Sequence, residues 1–188
     1  DAVYQPNTFG DAFRSIITVR TEGLPWHVVE IMKLCEERQW IHCEEGCWSQ
    51  AMPLGKELPR SLWDFIRTLR WEPLALEDRN RLTVAAVGGE VFSLPVIALA
   101  LDEQEAALQE RLDEELVRKQ DWLEPVPARL VARRQLAQYR FVHTFYFEFV
   151  DRQLEGSLRS EWHGRIGSAK KQIWAENWKD IAGELALH

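Results

Sequence analysis

The chain has 188 residues, enough to bury one substantial core or two smaller ones. Its 46% hydrophobic and 28% charged residues match an ordinary globular protein and exclude a disordered chain. A net charge of −7 argues against a general binder of nucleic acid or of anionic membranes. Every apolar run is shorter than the roughly eighteen residues of a membrane span, so we expect no contact with membrane.

The cysteine content indicates the cellular compartment of the protein, and the tryptophan content indicates a protein partner. Three cysteines, an odd number, argue against a disulfide framework and favour a reducing environment. The chain begins with Asp1 and shows no charged-then-apolar leader, so we expect a cytoplasmic protein, trimmed or part of something longer. Nine tryptophans are many for this length and favour an interaction surface, where Trp is enriched.

Two amphipathic helices are predicted at the start of the chain. Thr8, with Asp11 three residues later, nearly matches a capping box and should begin the first helix. Gly23 should end it. Pro25 suits the first turn of the second helix, because its missing N–H is not needed there.

The middle of the chain alternates predicted hairpins and helices. A short hairpin is expected within 40–50, with a glycine in its loop. A helix should start at Ser61 and end before Pro73. A second hairpin is expected within 84–92, around two adjacent glycines that suit a tight turn. The alternative is a glycine-rich break between helices, because Val84 to Val87 does not alternate polar and apolar residues.

The segment 101–155 is predicted to form an antiparallel helix pair around which the domain is built. Its first half spaces leucines by seven and four residues, as an amphipathic helix does: Leu101, Leu108, Leu112, Leu116 and Leu123. Pro125 and Pro127 require a turn between the halves. The second half, from Ala128, is basic where the first is acidic, so the two should attract and share a buried seam.

The end of the chain is predicted to be helical. Three phenylalanines at period two within 141–150 favour a strand, but the helix formers on both sides favour a helix, and we predict the helix. A last helix should begin near Ser168, with its apolar face drawn by Ile173, Trp174, Trp178, Ile181 and Leu185. The predicted fold is mainly α, a single domain over 1–188 with one or two short β-hairpins. The alternatives are an α+β fold and a subdivision into 1–73 and 93–188.

Four ligand-type residues form a weak candidate metal site: Cys35, His42, Cys43 and Cys47. Thiolates and an imidazole on a hairpin beside a helix end could hold tetrahedral zinc. However, zinc hairpins usually place two residues between their cysteines, and adjacent His42 and Cys43 would point to opposite faces of a strand. We therefore predict no metal, and Cys35 is expected to be an ordinary core residue.

An enzyme is the principal alternative function. His143 could be a general base if it lined a pocket with Glu148 or Tyr139, although a histidine in an aromatic run is more often a core residue. The sequence contains no phosphate-binding glycine loop, no nucleophile elbow and no metalloprotease helix. No cofactor is therefore expected.

Binding of nucleic acid is the third functional hypothesis. Basic residues interleaved with aromatics can bind phosphates while the rings stack on bases, and the candidates are Arg133, Arg134, Lys170 and Lys171. The competing account is that these bases neutralise the acidic half of 101–155. We favour that account because of the net negative charge.

A protein partner is the function that we predict. Outward carboxylates of the acidic half of 101–155, Glu103, Glu110 and Glu114, could dock a basic surface. Trp63 and Trp71 lie off the apolar faces of their segments and are candidate anchors. The hypothesis is a non-catalytic interaction module, acting as a regulatory, adaptor or inhibitor (immunity-type) subunit, although a solvated helix face would explain the same charges.

Overall fold

The computed structural model describes residues 4–54, 57–131 and 134–174. Contacts divide the chain into two compact units, unit 1 (Asp1–Leu69) and unit 2 (Arg70–His188). The mainly helical class is confirmed, because the chain is 59% helical, with eight helices and two small antiparallel sheets among the described residues. The single globular domain stays a prediction. Among the described residues, no helix is both long and apolar enough to cross a membrane.

Unit 1 contains three helices and one hairpin. In chain order they are α1 (Asp11–Thr21), α2 (Pro25–Glu37), β1 (Ile41–Glu44), β2 (Cys47–Gln50) and α3 (Leu62–Phe65). The α1 helix ends at Thr21, and its C-cap Glu22, with a left-handed φ of 53°, lies next to Gly23, where the end was predicted. Pro25 occupies the first turn of α2, also as predicted.

The first helix is not capped as predicted. Its N-cap is Gly10, which offers no side-chain capping bond. Thr8 lies too far before the helix start and instead donates its hydroxyl to the Trp48 carbonyl at 3.4 Å. The capping box expected from the sequence is therefore wrong.

The predicted hairpin and third helix of unit 1 are confirmed. Strands β1 and β2 pair antiparallel, and Gly46 in their loop has a φ of 79°. Ser61 caps α3, since its hydroxyl accepts the Asp64 N–H at 3.2 Å. The helix continues as a π-helical segment over Ile66–Trp71 and ends before Pro73.

Unit 2 surrounds a three-stranded sheet with helices. Its helices are α4 (Leu76–Gly88), α5 (Leu94–Leu101), α6 (Glu105–Arg111), a π-helical continuation of α6 (Leu112–Lys119), α7 (Thr144–Arg152) and α8 (Gly156–Trp174). Its strands are β3 (Val91–Ser93), β4 (Leu123–Val131) and β5 (Arg134–Phe141). The sheet is antiparallel in the order β3-β5-β4.

The antiparallel helix pair predicted for 101–155 is wrong. The acidic half is helical, but the two prolines lie in β4, the residues 134–141 form β5, and the second half becomes helical only in α7. Pro125 and Pro127 are compatible with a strand because β4 is at the edge of the sheet, where a missing N–H donor is tolerated. The ladder is irregular between Val126 and Arg129, as expected where a proline interrupts it.

The second hairpin, predicted within 84–92, is also wrong. Val84 to Val87 belong to α4 and are all buried, and β3 pairs with β5 instead. These four residues do not alternate between polar and apolar, because a helix end that is buried on all sides is apolar throughout. Gly88 fits this close packing, since a Cβ there would lie 3.1 Å from Ile97 Cδ1.

The helices around the sheet agree with the sequence only in part. Helix α5 ends at Leu101, because Asp102 turns left-handed with a φ of 61°. The helix predicted within 141–150 is confirmed as α7. The last helix starts at Gly156 rather than near Ser168. Of its predicted face, Trp178, Ile181 and Leu185 lie outside the described residues.

Candidate functional site

The acidic segment, defined as α6 with its π-helical continuation (105–119), is fixed to α4 by a buried carboxylate. Asp78 on α4 accepts hydrogen bonds from Arg111 Nε and Nη2 at 3.0 and 2.7 Å, and from Arg81 Nη1 at 2.9 Å. Burial alone would raise the pKa of Asp78, but these bonds outweigh it and hold the pKa below its usual value. The two-point bond from Arg111 sets the position of the acidic segment.

The same segment is fixed to the sheet from its other side. Tyr139 on β5 donates its hydroxyl to Asp113 at 2.7 Å. Burial raises the pKa of Tyr139 above its ordinary value, and the hydrogen bond to the Asp113 carboxylate raises this pKa further. Three leucines of the predicted stripe are fully buried beneath the segment: Leu108, Leu112 and Leu116. The acidic segment is therefore held by packing and by charge.

The three carboxylates that were predicted to contact a partner lie in different environments. Glu103, just before the segment, accepts from Arg81 Nε at 3.1 Å and is half-buried. Glu110 and Glu114 are exposed, and no ion pair joins either of them to another described residue. Of the three predicted contacts, only Glu110 and Glu114 are therefore available to a partner.

The predicted tryptophan anchors are both half-buried. Trp71 makes edge contacts to Trp122, with ring centroids 5.9 Å apart, and to Phe149 at 5.8 Å. Trp122 is fully buried, so Trp71 forms the margin of a core. Trp63 is on α3 in unit 1. Neither ring stands out from the surface as an anchor.

The three residues of the enzyme alternative have separate interactions. His143 is the N-cap of α7, and its Nδ1 accepts the Phe145 N–H at 3.3 Å. Glu148 lies 3.6 Å from Arg152, one turn further along α7. The Tyr139 hydroxyl is used by Asp113. His143 thus caps a helix, a structural role that the aromatic run did not reveal.

The weak metal candidates are not gathered into a cluster. The described residues contain no group of three or more His, Cys, Asp or Glu side chains that could hold a metal ion. All three cysteines are free, and burial raises the pKa of the Cys35 thiol to about 12. His42 Nε2 is 3.0 Å from the Ser49 hydroxyl across the hairpin.

The basic residues of the nucleic-acid alternative do not share one exposed surface. Arg134 Nη2 binds Glu105 of the acidic segment at 2.7 Å. This pair agrees with the interpretation that the basic residues neutralise the acidic half of 101–155. Lys170 is only 7% exposed, whereas Lys171 is exposed. Arg133 lies outside the described residues.

One cavity of unit 2 was missed by the sequence analysis. It has a volume of about 490 Å³ and lies against one face of the three-stranded sheet. Ser93 is paired with Gln138 across the β3–β5 ladder, and Arg129 with Leu136 across the β4–β5 ladder. Because paired residues and residues two apart share a face, Ser93, Gln138 and Arg129 point to the same side.

Helix α8 supplies the opposite wall of this cavity. His163, Lys170 and Trp174 line it at spacings of seven and four, which places them on one helix face. The Arg129 guanidinium lies 5.6 Å from the centre of the Trp174 ring, so the two walls meet there. The helical spacing of the three α8 residues can be seen in the sequence. That Arg129 lines the same cavity follows only from the pairing of β4 with β5.

Three of the side chains that line the cavity are basic. Its described lining contains one arginine, one lysine and one histidine, and no acidic side chain. Burial lowers the pKa of His163, as do the charges of Arg159 and Lys170, while Asp151 opposes them.

Comparison of the chain with protein-family models, with curated proteins and with solved structures finds no match. The function is therefore inferred from the geometry of the chain itself.

Proposed function

We propose that this chain is a non-catalytic interaction module, a regulatory, adaptor or inhibitor subunit that binds a basic surface of another protein. The observation that carries the proposal is a rigidly fixed acidic segment with two outward carboxylates, Glu110 and Glu114, that no described residue neutralises. We propose further that binding takes place in a reducing, cytoplasmic compartment, which the free cysteines support.

The anchoring of the segment is the physical reason for expecting binding. A charged face on a mobile helix loses conformational entropy when a partner orders it, whereas a fixed one does not. Arg111 and Asp113 fix the acidic segment from two sides, to Asp78 and to Tyr139. The exposed carboxylates are therefore preorganised to attract a basic partner and to orient it.

The nucleic-acid alternative receives less support from the same geometry. The outward charge of the acidic segment would repel phosphates, and Arg134 is engaged by Glu105. The enzyme alternative would need His143 to serve as a base, although its Nδ1 accepts a backbone N–H.

The test is capture of a partner followed by charge reversal. The purified chain is immobilised at moderate salt, exposed to an extract of the source cells, and the bound protein is identified and purified. Its affinity is then measured for the unaltered chain and for the Glu110→Lys/Glu114→Lys variant. We expect a loss of at least about tenfold, and an affinity that falls with salt, because both carboxylates are solvent-exposed.

A matched control changes the net charge equally elsewhere. The Glu37→Lys/Glu155→Lys variant reverses two exposed carboxylates outside the acidic segment, and we expect it to keep its affinity within about twofold. Equal losses in both variants would show a non-specific charge effect and would contradict the proposed surface. Recovery of nucleic acid alone, or of no partner, would overturn the proposed function.

A further inference from the structure

We infer that a second cavity, formed in unit 1 by α1, α2 and the segment 4–9, binds a small carboxylate with an apolar body, such as a medium-chain carboxylic acid. All described residues that line this cavity belong to unit 1, whereas the acidic segment belongs to unit 2. The test of this site is therefore independent of the proposed protein partner.

The apolar body of the ligand is inferred from two helix faces. Helix α1 contributes Phe13 and Ile17, and α2 contributes Val28 and Met32, each pair four residues apart and so on one side of its helix. Phe9 also lines the cavity, and its ring stacks on that of Phe13 with centroids 4.4 Å apart. The volume of about 520 Å³ lies within the range of small-molecule sites, roughly 300 to 1,000 Å³.

The segment 4–9 forms the remaining wall and is fixed to the hairpin of unit 1. The Thr8 N–H donates to the Trp48 carbonyl at 2.9 Å, and the Trp48 N–H donates to the Pro6 carbonyl at 2.9 Å. Because both backbone bonds join the segment to β2, this wall is in place before a ligand arrives. A preformed wall lowers the entropy that binding costs.

The charge of the ligand is inferred from Arg14 on α1, which lines the cavity. Its Nε donates to the Phe9 carbonyl at 3.0 Å and its Nη2 donates to Asn7 Oδ1 at 3.2 Å, so neutral acceptors position the guanidinium. Lys33, the other charged residue in the described lining, pairs with Glu30 at 2.9 Å. Among the described residues no carboxylate pairs with Arg14, so its charge is available to a ligand.

The free N–H groups of Arg14 favour a carboxylate as the anionic group. Its two hydrogen bonds use the Nε N–H and one N–H of Nη2, which leaves both N–H groups of Nη1 and one of Nη2. This side of the guanidinium matches the two oxygens of a carboxylate. Because Arg14 is the one lining cation without a carboxylate partner among the described residues, a monoanion suits the site better than a dianionic phosphate.

The experiment follows the two methionine methyl groups of the full chain by NMR after labelling them with carbon-13. Met32 lines the cavity, whereas Met52 is 37% exposed and lies outside it. We expect decanoate to shift the Met32 signal to saturation and to leave the Met52 signal unmoved. Octanoate, which is two methylenes shorter, should bind about tenfold more weakly, because each buried methylene adds affinity. An unmoved Met32 signal would overturn the inference.

Two exposed arginines provide matched variants. Arg14→Gln removes the charge at the cavity, and we expect it to weaken decanoate about fivefold while leaving decanol, which has the same chain without the charge, unchanged. Arg38→Gln removes an exposed charge outside the cavity and should change neither affinity. If Arg14→Gln does not unfold cooperatively, Thr18→Glu takes its place with the same expectation, because it adds a carboxylate to the cavity wall one turn from Arg14. Equal losses for decanoate and decanol, or equal effects of the two arginine variants, would overturn the carboxylate site.

Discussion

His27 lies in the core of unit 1 against an aromatic neighbour. It is 1% exposed, its ring centroid is 5.3 Å from that of Phe65, and its nitrogens have no hydrogen-bond partner among the described residues. Burial lowers the pKa of His27 to about 4, against a small opposing effect of Glu30. The imidazole is therefore neutral in the folded chain at neutral pH.

His27 should make the stability of the protein depend on pH. Between its ordinary pKa of about 6.5 and its folded pKa of about 4, the unfolded chain binds a proton that the folded chain does not. The free energy of unfolding should therefore fall as the pH falls through this window. From linkage, we expect a loss of about 2 kcal/mol between pH 7 and 5, measurable by urea unfolding.

The variant His27→Phe tests this assignment. Phenylalanine keeps a ring of similar size and removes two buried polar atoms, so we expect unchanged or greater stability at pH 7 and a flatter pH dependence. His42→Gln, in the hairpin of the same unit, is the control and should keep the full dependence. An unaltered pH dependence in His27→Phe would contradict the assignment.

At the scale of elements, the sequence predicted segments whose signals are local. Pro25 at the start of α2, Ser61 at the cap of α3 and Gly46 in the hairpin each act on backbone within a few residues of themselves, so the neighbouring sequence suffices to interpret them. The prediction of a turn at Pro125 and Pro127 was wrong because the role of a proline in a strand depends on the strand being at an edge. Sheet order is set by contacts distant in sequence.

The candidate sites also differ in whether local sequence patterns are enough to predict them. Glu110 and Glu114 could be predicted, because a helical leucine stripe also defines its opposite, exposed face. The cavity could not, because Arg129 reaches it through the pairing of β4 with β5. Lys170 was chosen for its charge, but its burial follows from the packing of α8.

The leucine stripe under the acidic segment should account for much of its anchoring. Leu116 is fully buried, so Leu116→Ala removes apolar contacts and leaves a cavity. We expect the free energy of unfolding to fall by about 2 to 5 kcal/mol in urea denaturation. Leu99→Ala is the matched control, because Leu99 is 43% exposed, and it should change stability by less than about 0.5 kcal/mol. Similar losses for both would mean that Leu116 does not hold the segment.

At the scale of the whole chain, acidic and basic stretches neutralise one another within unit 2. Arg134 pairs with Glu105, and Arg140 on β5 pairs with Glu124 on β4, its cross-strand neighbour. These exposed pairs contribute little stability individually. Among the described residues, these pairs leave the outward carboxylates Glu110 and Glu114 of the acidic segment without a counter-charge.

Unit 2 should fold when it is produced alone as residues 70–188. Its core is its own: Leu82, Leu94, Leu108 and Phe141 are fully or almost fully buried, and each belongs to an element of this unit. Trp71 is retained by this boundary together with its contact to Trp122. We therefore expect helical circular dichroism and a single cooperative urea transition. Because that transition should report this core, Leu116→Ala must lower its midpoint in the fragment as well. A gradual transition, or one that Leu116→Ala leaves unmoved, would mean that 1–188 folds as the single domain that the sequence predicts.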